Sequence, residues 1–283
     1  MLATSYNTSL TNKEFDRLSQ FIYSECGIKM PPAKKVMLEA RLRKRLRELN
    51  LDTFADYCDL IFNSSASSDE LIHMIDVVTT NKTEFFREPK QFSYMTDIAV
   101  PEMISQYGAG VKRKLRLWSA GCSTGEEPYT LAMVLQRLSE SIPDFDYSIL
   151  ASDISTQVLE KALIGIYPMD RLDGMPIELK KKFFLKSKDK TKSLVRVVPE
   201  LRQKVSFQRI NFMDDDYSIR ERQDMIYCRN VIIYFDKKTQ EQFISKLCNY
   251  LIPGGYLFLG HSETLFNMDL PLVQIATSTY KRI

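Results

Sequence analysis

The spacing of apolar residues divides the chain into two parts. From residue 11 to residue 80 the apolar positions recur at helical spacing, as Phe15 and Leu18 do. Thr11, followed three residues later by Glu14, is a typical capping box and predicts where the first helix begins. Further helices are expected from Pro32 to Asn50, from Asp52 over TFADYCDLIF, and over LIHMIDVV. We therefore predict an all-helical domain over residues 1–88.

The pattern changes to alternating strands and helices from residue 114. The runs KLRLWSAG, YSILASDI, DMIYCRNVIIYF and GYLFLGHSE are typical of buried strands. The helical patterns YTLAMVLQRLSES and TQEQFISKLCNYL lie between them. This alternation predicts a doubly wound α/β domain over residues 114–283. A stretch at about 165–205, with SLVRVV as a strand, interrupts the order and predicts a small insertion. Residues 89–113 are expected to be a linker.

Composition limits the classes of protein to which the chain can belong. Apolar residues make up 44% of the chain and charged residues 27%, which is typical of a globular protein. The net charge is only +3, so no overall field draws the chain to nucleic acid. The amino terminus has no basic-then-apolar leader, and no apolar run approaches the roughly 20 residues of a membrane span. The five cysteines are scattered without a C-x-x-C pair, which favours free thiols in the cytoplasm.

The sequence RLWSAGCSTGEEPYTL has the outline of a nucleotide-binding turn, with Gly121 after a strand and a helix beyond. Glu126 and Glu127 stand where phosphates would meet the helix amino terminus, so a phosphate ligand is disfavoured. S-adenosylmethionine has no phosphate, and its sulfonium and ammonium cations suit nearby carboxylates. Asp153 ends the following strand and can bind ribose hydroxyls. Alternatively, the two glutamates only stabilise the first turn of their helix.

Five longer motifs narrow the family. They are TNKTEFFRE (80–88), WSAGCSTGEEPY (118–129), ASDI (151–154), CRNVIIYF (228–235) and GHSE (260–263). Together they closely resemble the chemotaxis receptor methyltransferases, the CheR family. The resemblance implies a helical amino-terminal domain and a Rossmann-like S-adenosylmethionine-dependent methyltransferase domain with an inserted antiparallel β-subdomain. It also implies methyl transfer to glutamate side chains on the cytoplasmic helices of chemoreceptors, with S-adenosylhomocysteine as the product.

The resemblance also assigns cofactor contacts. In addition to Gly121 in the glycine loop, they fall on Asn81, Thr83, Arg87, Glu127, Asp153, Asn211, Phe212, Asn230 and Val231.

Two of the residues in these motifs are candidates for contact with the reacting groups. Arg87 offers a fork of donors suited to a carboxylate of the cofactor or the substrate, although it could instead be a solvated arginine or pair with Glu88. Tyr234 could aim its hydroxyl at the incoming carboxylate, although a tyrosine in an apolar run is more often part of the core. We therefore treat Arg87 and Tyr234 as the catalytic candidates.

The implied reaction requires little from acid–base groups. A glutamate side chain has a pKa of about 4.3, so it is already ionised at neutral pH and needs no general base. The chain accordingly has only two histidines, His73 and His261. No histidine, cysteine and carboxylate cluster has the spacing of a metal site, so we expect no metal.

A basic segment is the candidate docking surface for the substrate. Residues 29–49 contain eight lysines and arginines against two glutamates. Lys34, Arg41, Lys44 and Arg45 are the proposed docking residues, the last three sharing one helix face. This segment could instead be an ordinary solvated face or bind nucleic acid, but no aromatic base reader accompanies it, and we expect no nucleic-acid partner.

Other roles and partners remain possible from the sequence. In some relatives the β-subdomain binds a peptide from the receptor carboxyl terminus by adding a strand to its sheet. The rival functions are a methyltransferase acting on RNA or a small molecule, a non-catalytic adaptor that binds S-adenosylmethionine, and a nicotinamide oxidoreductase. We expect a monomer with no direct membrane insertion.

Overall fold

The amino-terminal part of the chain is helical, as its apolar spacing predicts. The structure, a computed structural model, describes residues 9–62, 68–189 and 191–283. Thr11 and Glu14 form the predicted capping box. The third helix was expected to begin at Asp52, but Thr53 caps it, because the Thr53 hydroxyl accepts the N–H of Asp56 at 3.1 Å. Within the described ranges the amino-terminal helices are α1 (Asn12–Cys26), α2 (Lys35–Leu49), α3 (Phe54–Phe62) and α4 (Ser68–Val78).

A buried ion pair lies inside this helical part. Nη2 of Arg45 is 2.5 Å from Oε2 of Glu70, and the Tyr57 hydroxyl donates to Oε1 of Glu70 at 2.9 Å. Arg45 is only 8% exposed, so the prediction that it belongs to a docking face is wrong. Its neighbours Leu42 and Leu46 face the core, and the helix turns Arg45 inward with them. The carboxylate of Glu70 compensates the buried charge.

Residues 89–107 are helical, so the predicted linker over 89–113 is wrong. The chain forms α5 (Pro89–Tyr94), one π-helical segment (Met95–Ala99) and α6 (Val100–Tyr107). Met95 and Met103 are fully buried in the same apolar cluster as the central strands. Their spacing is helical, and this signal was present in the sequence.

A seven-stranded sheet forms the centre of the second part. Its order is β6-β2-β1-β7-β8-β10-β9. The β6-β2-β1-β7-β8 strands are parallel, whereas β10 runs antiparallel to both β8 and β9. The strands of this sheet are β1 (Leu115–Ala120), β2 (Tyr147–Asp153), β6 (Val205–Arg209), β7 (Gln223–Cys228), β8 (Leu251–Leu259), β9 (Leu272–Ala276) and β10 (Thr279–Arg282).

The two faces of this sheet are covered separately, which confirms the doubly wound fold. Along β1, Leu117 belongs to one apolar cluster and Trp118 to another, because successive side chains in a strand point to opposite faces. The strand order reverses between β1 and β7, since the chain proceeds outward from β1 to β2 and from β7 to β8. In such sheets ligands bind beyond the carboxyl ends of the strands at that reversal. The remaining long helices are α7 (Glu126–Ser139), α8 (Thr156–Ile164) and α11 (Lys237–Tyr250).

A second, antiparallel sheet lies within the predicted insertion. It has the order β3-β5-β4, with β3 (Ile166–Pro168), β4 (Phe184–Lys186) and β5 (Leu194–Val197). The strand predicted from SLVRVV is β5, at the centre of this sheet. Two short helices accompany these strands: α9 (Ile177–Phe183) lies between β3 and β4, and α10 (Pro199–Arg202) follows β5.

Two parts of the α/β domain differ from the prediction. The strand expected to continue through residues 231–235 ends at Cys228, and Ile232–Tyr234 is a 3-10 helix. The break occurs at Asn230, whose φ of 59° is left-handed and incompatible with a strand. The carboxyl-terminal hairpin of β9 and β10 was not predicted. The alternation of apolar and polar residues that would predict a strand is weak in β9, because this strand lies at the sheet edge with exposed side chains on both faces.

The five cysteines are free thiols, as predicted, and all are buried. They are distributed over the three apolar clusters: Cys26 and Cys58 among the amino-terminal helices, and Cys122, Cys228 and Cys248 around the central sheet. They therefore contribute to packing as small apolar side chains.

Candidate active site

A cavity of about 260 Å³ lies beyond the carboxyl ends of β1, β2 and β7, at the reversal of the strand order. Its wall also includes residues from the end of α1 and from the segment that follows α4. The cavity therefore lies between the helical part and the α/β part of the chain. The predicted site residues that line it are Lys34, Asn81, Thr83, Arg87, Gly121, Glu127, Asp153, Asn211, Phe212, Asn230, Val231 and Tyr234.

The glycine loop after β1 needs a residue without a side chain at its first position. Gly121 has a φ of 82°, and a Cβ placed there would lie 2.5 Å from Cγ2 of Val231. Its N–H donates to the carbonyl of Ser152 at 2.8 Å, which holds the loop against the end of β2. The close approach brings the strand ends of β1 and β7 together at the floor of the cavity.

The two loop glutamates have different surroundings. Glu126 is fully buried and lies 2.5 Å from the Arg171 guanidinium, which ties α7 to the inserted region. Glu127 lines the cavity and accepts a hydrogen bond from the Ser119 hydroxyl at 2.7 Å. Burial raises the pKa of the Glu127 carboxyl, and the nearby Arg229 guanidinium lowers it by a smaller amount. The structure thus separates a structural carboxylate from one that can meet a ligand.

Asp153 is held by the backbone at the end of β2. Oδ2 accepts the N–H of Ser123 at 2.9 Å, and Oδ1 accepts the N–H of Ser155 at 3.0 Å. Burial raises the pKa of the Asp153 carboxyl, and these backbone N–H groups oppose the rise. Each carboxylate oxygen retains acceptor capacity, because an ionised carboxylate offers about four lone-pair sites. The carboxylate is therefore fixed in place and still able to accept a pair of hydroxyl donors.

Asn211 and Phe212 line the cavity and also contact residues outside it. Nδ2 of Asn211 donates to the carbonyl of Glu25 near the end of α1 at 2.7 Å, and its Oδ1 accepts the N–H of Met213 at 3.1 Å. Phe212 packs against Phe243, with ring centroids 4.6 Å apart. Both side chains thus have structural partners, and the Asn211 amide joins the two parts of the chain at the cavity wall.

A carboxylate that the sequence reading missed shapes the turn after β7. Glu263 is 5% exposed and accepts N–H groups from Asn230 at 2.8 Å, Ile232 at 2.9 Å and Gly260 at 2.7 Å. These bonds hold Asn230 in its left-handed conformation and place Val231 against the glycine loop. The available signal was the GHSE motif, which the sequence analysis used only for the family resemblance.

Arg229 is a second residue that the sequence reading missed. Its side chain is 2% exposed, and its Nε lies 3.4 Å from Glu88 and 3.5 Å from Glu127. Nη2 donates to the carbonyl of Arg87 at 2.6 Å. Arg229 thereby sets the position of two cavity residues. Its position directly before Asn230 in the CRN motif was the signal.

Arg87 and Tyr234, the predicted catalytic pair, both line the cavity. Nη1 of Arg87 donates to the carbonyl of Lys82 at 3.3 Å. Glu88, the alternative partner proposed for Arg87, lies against Arg229 instead. Tyr234 is half-buried, and Nζ of Lys34 lies 5.6 Å from the centre of its ring. The structure therefore brings Arg87, Tyr234 and Lys34 to one cavity.

The predicted docking residues do not share one exposed face. Lys44 is exposed and lies 3.7 Å from Glu48, and Lys34 stands at the cavity. The Arg41 guanidinium donates to the backbone at the end of α4. Arg45 is buried in its ion pair with Glu70. Periodicity placed Arg41, Lys44 and Arg45 on one side of α2, but it could not distinguish exposed cations from those with intramolecular partners.

Metal-binding clusters and membrane-spanning helices are both absent from the described residues. The described ranges contain no group of three or more histidine, cysteine, aspartate or glutamate side chains arranged to hold a metal ion. Among the same residues, the helices are too short or too polar to cross a membrane.

Two family descriptions together match almost the whole chain. The description "CheR methyltransferase, all-alpha domain" matches residues 13–79, and "CheR methyltransferase, SAM binding domain" matches residues 81–281. The first coincides with helices α1 to α4. The second includes every predicted cofactor residue.

Curated proteins are similar to this chain over nearly their full length. The chemotaxis protein methyltransferase of Borreliella burgdorferi is 37% identical, covering 98% of this chain and 96% of the relative. Chemotaxis protein methyltransferase 2 of Pseudomonas aeruginosa is 38% identical, covering 95% and 93%. The chemotaxis protein methyltransferase of Escherichia coli K12 is 37% identical, covering 95% and 90%.

Proposed function

Because the chain belongs to the CheR methyltransferase family, we propose that it methylates glutamate side chains of chemoreceptors. It is a chemotaxis protein methyltransferase, and its cofactor is S-adenosylmethionine, the ligand named for the domain matched over residues 81–281. The glutamate acceptor, the methyl ester product and the role of each residue are the substance of the proposal.

The observation that carries the proposal is the charge distribution of the cavity. Glu127 in the first turn of α7 and Asp153 at the end of β2 supply two carboxylates that are partly buried and buried, respectively. In this proposal Asp153 accepts the ribose hydroxyls, and Glu127 accepts the ammonium group of the cofactor. Arg229 adjoins Glu127 and lines the same wall, and in this proposal it binds the carboxylate of the cofactor. The Glu127 and Arg229 pair thus complements the zwitterionic amino-acid end of S-adenosylmethionine.

The acceptor would enter beside Arg87, Tyr234 and Lys34. Two cations and a phenol at one cavity attract and orient a carboxylate better than a neutral acceptor. In the reaction a carboxylate oxygen forms a bond to the methyl carbon while the carbon–sulfur bond breaks, and the electron pair stays on sulfur. No proton moves, since glutamate is already ionised. The task of the site is to align oxygen, carbon and sulfur, which in favourable cases supplies about 7–11 kcal/mol.

Recognition of the receptor is assigned to the helical part. Lys44 on α2 and Lys34 before it are accessible cations that can meet an acidic helix, while Arg45 is excluded by its burial. In the described part of the chain, β3 and β4 are the edge strands of the antiparallel sheet, and either edge can accept a receptor peptide as an added strand. We propose that the enzyme acts as a cytoplasmic monomer on the cytoplasmic helices of the receptor, without a nucleic-acid partner.

The test is to identify the bond that the enzyme makes. Purified protein, methyl-labelled S-adenosylmethionine and chemoreceptor-containing membranes are incubated, and the labelled receptor is treated with mild alkali. Release of volatile methanol is the expected result, because carboxyl methyl esters hydrolyse under these conditions. Label that survives alkali would place the methyl group on another acceptor and contradict the proposal. Receptor in which the methylated glutamates are replaced by alanine is the matched control and should take up no label.

A further inference from the structure

The guanidinium of Arg41 is used inside the protein. Although Arg41 lies on the basic helix α2, its Nη1 donates to the carbonyl oxygens of Val78 at 2.5 Å and Thr79 at 3.0 Å. Its Nη2 donates to the hydroxyl of Thr80 at 3.0 Å. These carbonyls stand at the end of α4, where the last turn of a helix lacks intrahelical donors. A cation at this end also complements the helix dipole.

The segment held by Arg41 leads directly into the cavity. Nδ2 of Asn81 donates to the hydroxyl of Thr79 at 3.2 Å, and the Asn81 carbonyl accepts the hydroxyl of Ser123 at 3.0 Å. The N–H of Ser123 in turn donates to the Asp153 carboxylate at 2.9 Å. A continuous series of hydrogen bonds therefore runs from the end of α4 through the glycine loop to the end of β2.

We propose that Arg41 is a positioning residue for the cofactor, acting through the backbone of residues 78–80. By fixing the direction in which the chain leaves α4, its guanidinium fork places Asn81 and Thr83 in the cavity wall. This inference rests on the proposed function, since it assumes that Asn81 and Thr83 contact the cofactor. It also removes Arg41 from the docking surface, because three of its hydrogen bonds are made within the chain.

The first test measures S-adenosylhomocysteine affinity by calorimetry, with no receptor present. Arg41→Ala should bind about ten-fold more weakly, the order of effect expected from losing charged hydrogen bonds. Arg41→Lys keeps the positive charge but lacks the planar set of N–H donors of the guanidinium, and it should recover only part of the affinity. Arg47→Ala is the matched control: it lies on the same helix, is exposed, and should bind as tightly as the unmodified protein.

Steady-state kinetics separate positioning from docking. With Arg41→Ala we expect the KM for S-adenosylmethionine to rise and the KM for receptor to stay unchanged. A docking residue would give the opposite pattern, with unchanged S-adenosylhomocysteine affinity and a raised KM for receptor. That opposite pattern would overturn the proposal.

Thr80→Ala removes the other partner of the hydrogen bond between Arg41 and Thr80. It provides an independent test if Arg41→Ala fails to fold. It removes one exposed acceptor, so it should weaken S-adenosylhomocysteine binding by about two- to three-fold. Adding it to Arg41→Ala should cause no further loss, whereas additive losses or full affinity in Thr80→Ala would count against the proposal. Failure of the unmodified protein to bind S-adenosylhomocysteine would refute the proposed function itself. Equal affinity of the unmodified protein and Arg41→Ala would refute the positioning role alone.

Discussion

At the scale of single residues, the cavity depends on carboxylates kept in unfavourable surroundings. Burial raises the pKa of Glu127 above the ordinary value for a glutamate, so the site without ligand takes up a proton more readily than an exposed glutamate does. A cationic ligand favours the ionised form, and binding must therefore release that proton when the pH is near the raised pKa. The cost of burying the charge is thus partly recovered when the cofactor enters.

This linkage predicts the pH dependence of S-adenosylhomocysteine binding. Affinity should fall as the pH is lowered through the raised pKa of Glu127, beginning above pH 4.5, because the protonated carboxyl no longer pairs with the ammonium group. Glu127→Gln should bind roughly ten-fold more weakly at neutral pH and show a flatter profile. Calorimetry in buffers of different ionisation enthalpy measures the released proton. An identical profile in Glu127→Gln would show that another group is responsible, Asp153 being the first candidate.

A second prediction at this scale concerns the contact between Gly121 and Val231. Gly121→Ala should lower the free energy of unfolding by about 1–3 kcal/mol and weaken cofactor binding, because the left-handed φ and the methyl clash act together. Val231→Ala in the same chain removes the methyl group that is struck and should restore part of the loss. Urea titration measures the first effect and calorimetry the second. If the double variant were no more stable and bound no more tightly than Gly121→Ala, the whole loss would come from the left-handed backbone conformation.

At the scale of elements, the turn between β7 and its 3-10 helix is organised by a residue far along the chain. Glu263 accepts the N–H groups of Asn230 and Ile232 in this turn from a position 33 residues after Asn230. It also accepts the N–H of Gly260, which lies in its own loop. An ionised acceptor serves such a group of donors better than a neutral amide, because hydrogen bonds to charged groups are stronger. The conformation of the turn, and with it the position of Asn230, should therefore depend on this carboxylate.

The corresponding substitution is Glu263→Gln. It should lower the free energy of unfolding by about 1–3 kcal/mol, since one buried N–H loses its acceptor, and should weaken S-adenosylhomocysteine binding. Glu241→Gln is the matched control, because Glu241 accepts a single exposed N–H from Asp269. Its effect should stay within about 0.5 kcal/mol. If the two substitutions lowered the free energy of unfolding equally in urea titration, the three N–H donors of Glu263 would contribute no more to stability than the single donor of Glu241.

The same elements show how far sequence could predict the site. The residues at strand ends were predicted because each stands in a short contiguous motif whose chemistry is local, as with Gly121 and Asp153. Arg229 and Glu263 were missed as functional residues because their partners are distant in the sequence. The run at 231–235 was read as strand from its apolar composition, but the Glu263 carboxylate and the left-handed Asn230 decide the conformation there. Arg45 was misplaced because charge spacing cannot reveal a buried partner.

At the scale of the whole molecule, the cavity depends on contact between its two parts. Cys26 at the end of α1 and Ile28 just after it contribute to the wall, and Asn211 donates across to the carbonyl of Glu25. The N–H of Lys29 also donates to the carbonyl of Tyr234 at 2.9 Å. A ligand in the cavity touches both parts and should hold them together.

Hydrogen exchange can test this coupling. S-adenosylhomocysteine should slow amide exchange in residues 25–30 and 79–84, because both segments contribute to the cavity wall. The melting temperature should rise with ligand concentration. Residues 272–282, which form the hairpin at the far end of the sheet, are the internal control and should change least. Protection confined to the α/β part would mean that the helical part does not help to hold the cofactor.

The buried cysteines have a consequence for chemical reactivity. Burial raises the pKa of Cys26, Cys58 and Cys248 to about 11, and that of Cys122 and Cys228 well above the ordinary value. The thiolate is the form that attacks alkylating reagents, so the folded enzyme should resist them at neutral pH. Labelling then requires the structure to open. The labelling rate of each thiol therefore measures how often the apolar cluster that contains it opens. Cys26 borders the cavity, so its labelling rate should record how often the two parts of the enzyme separate there.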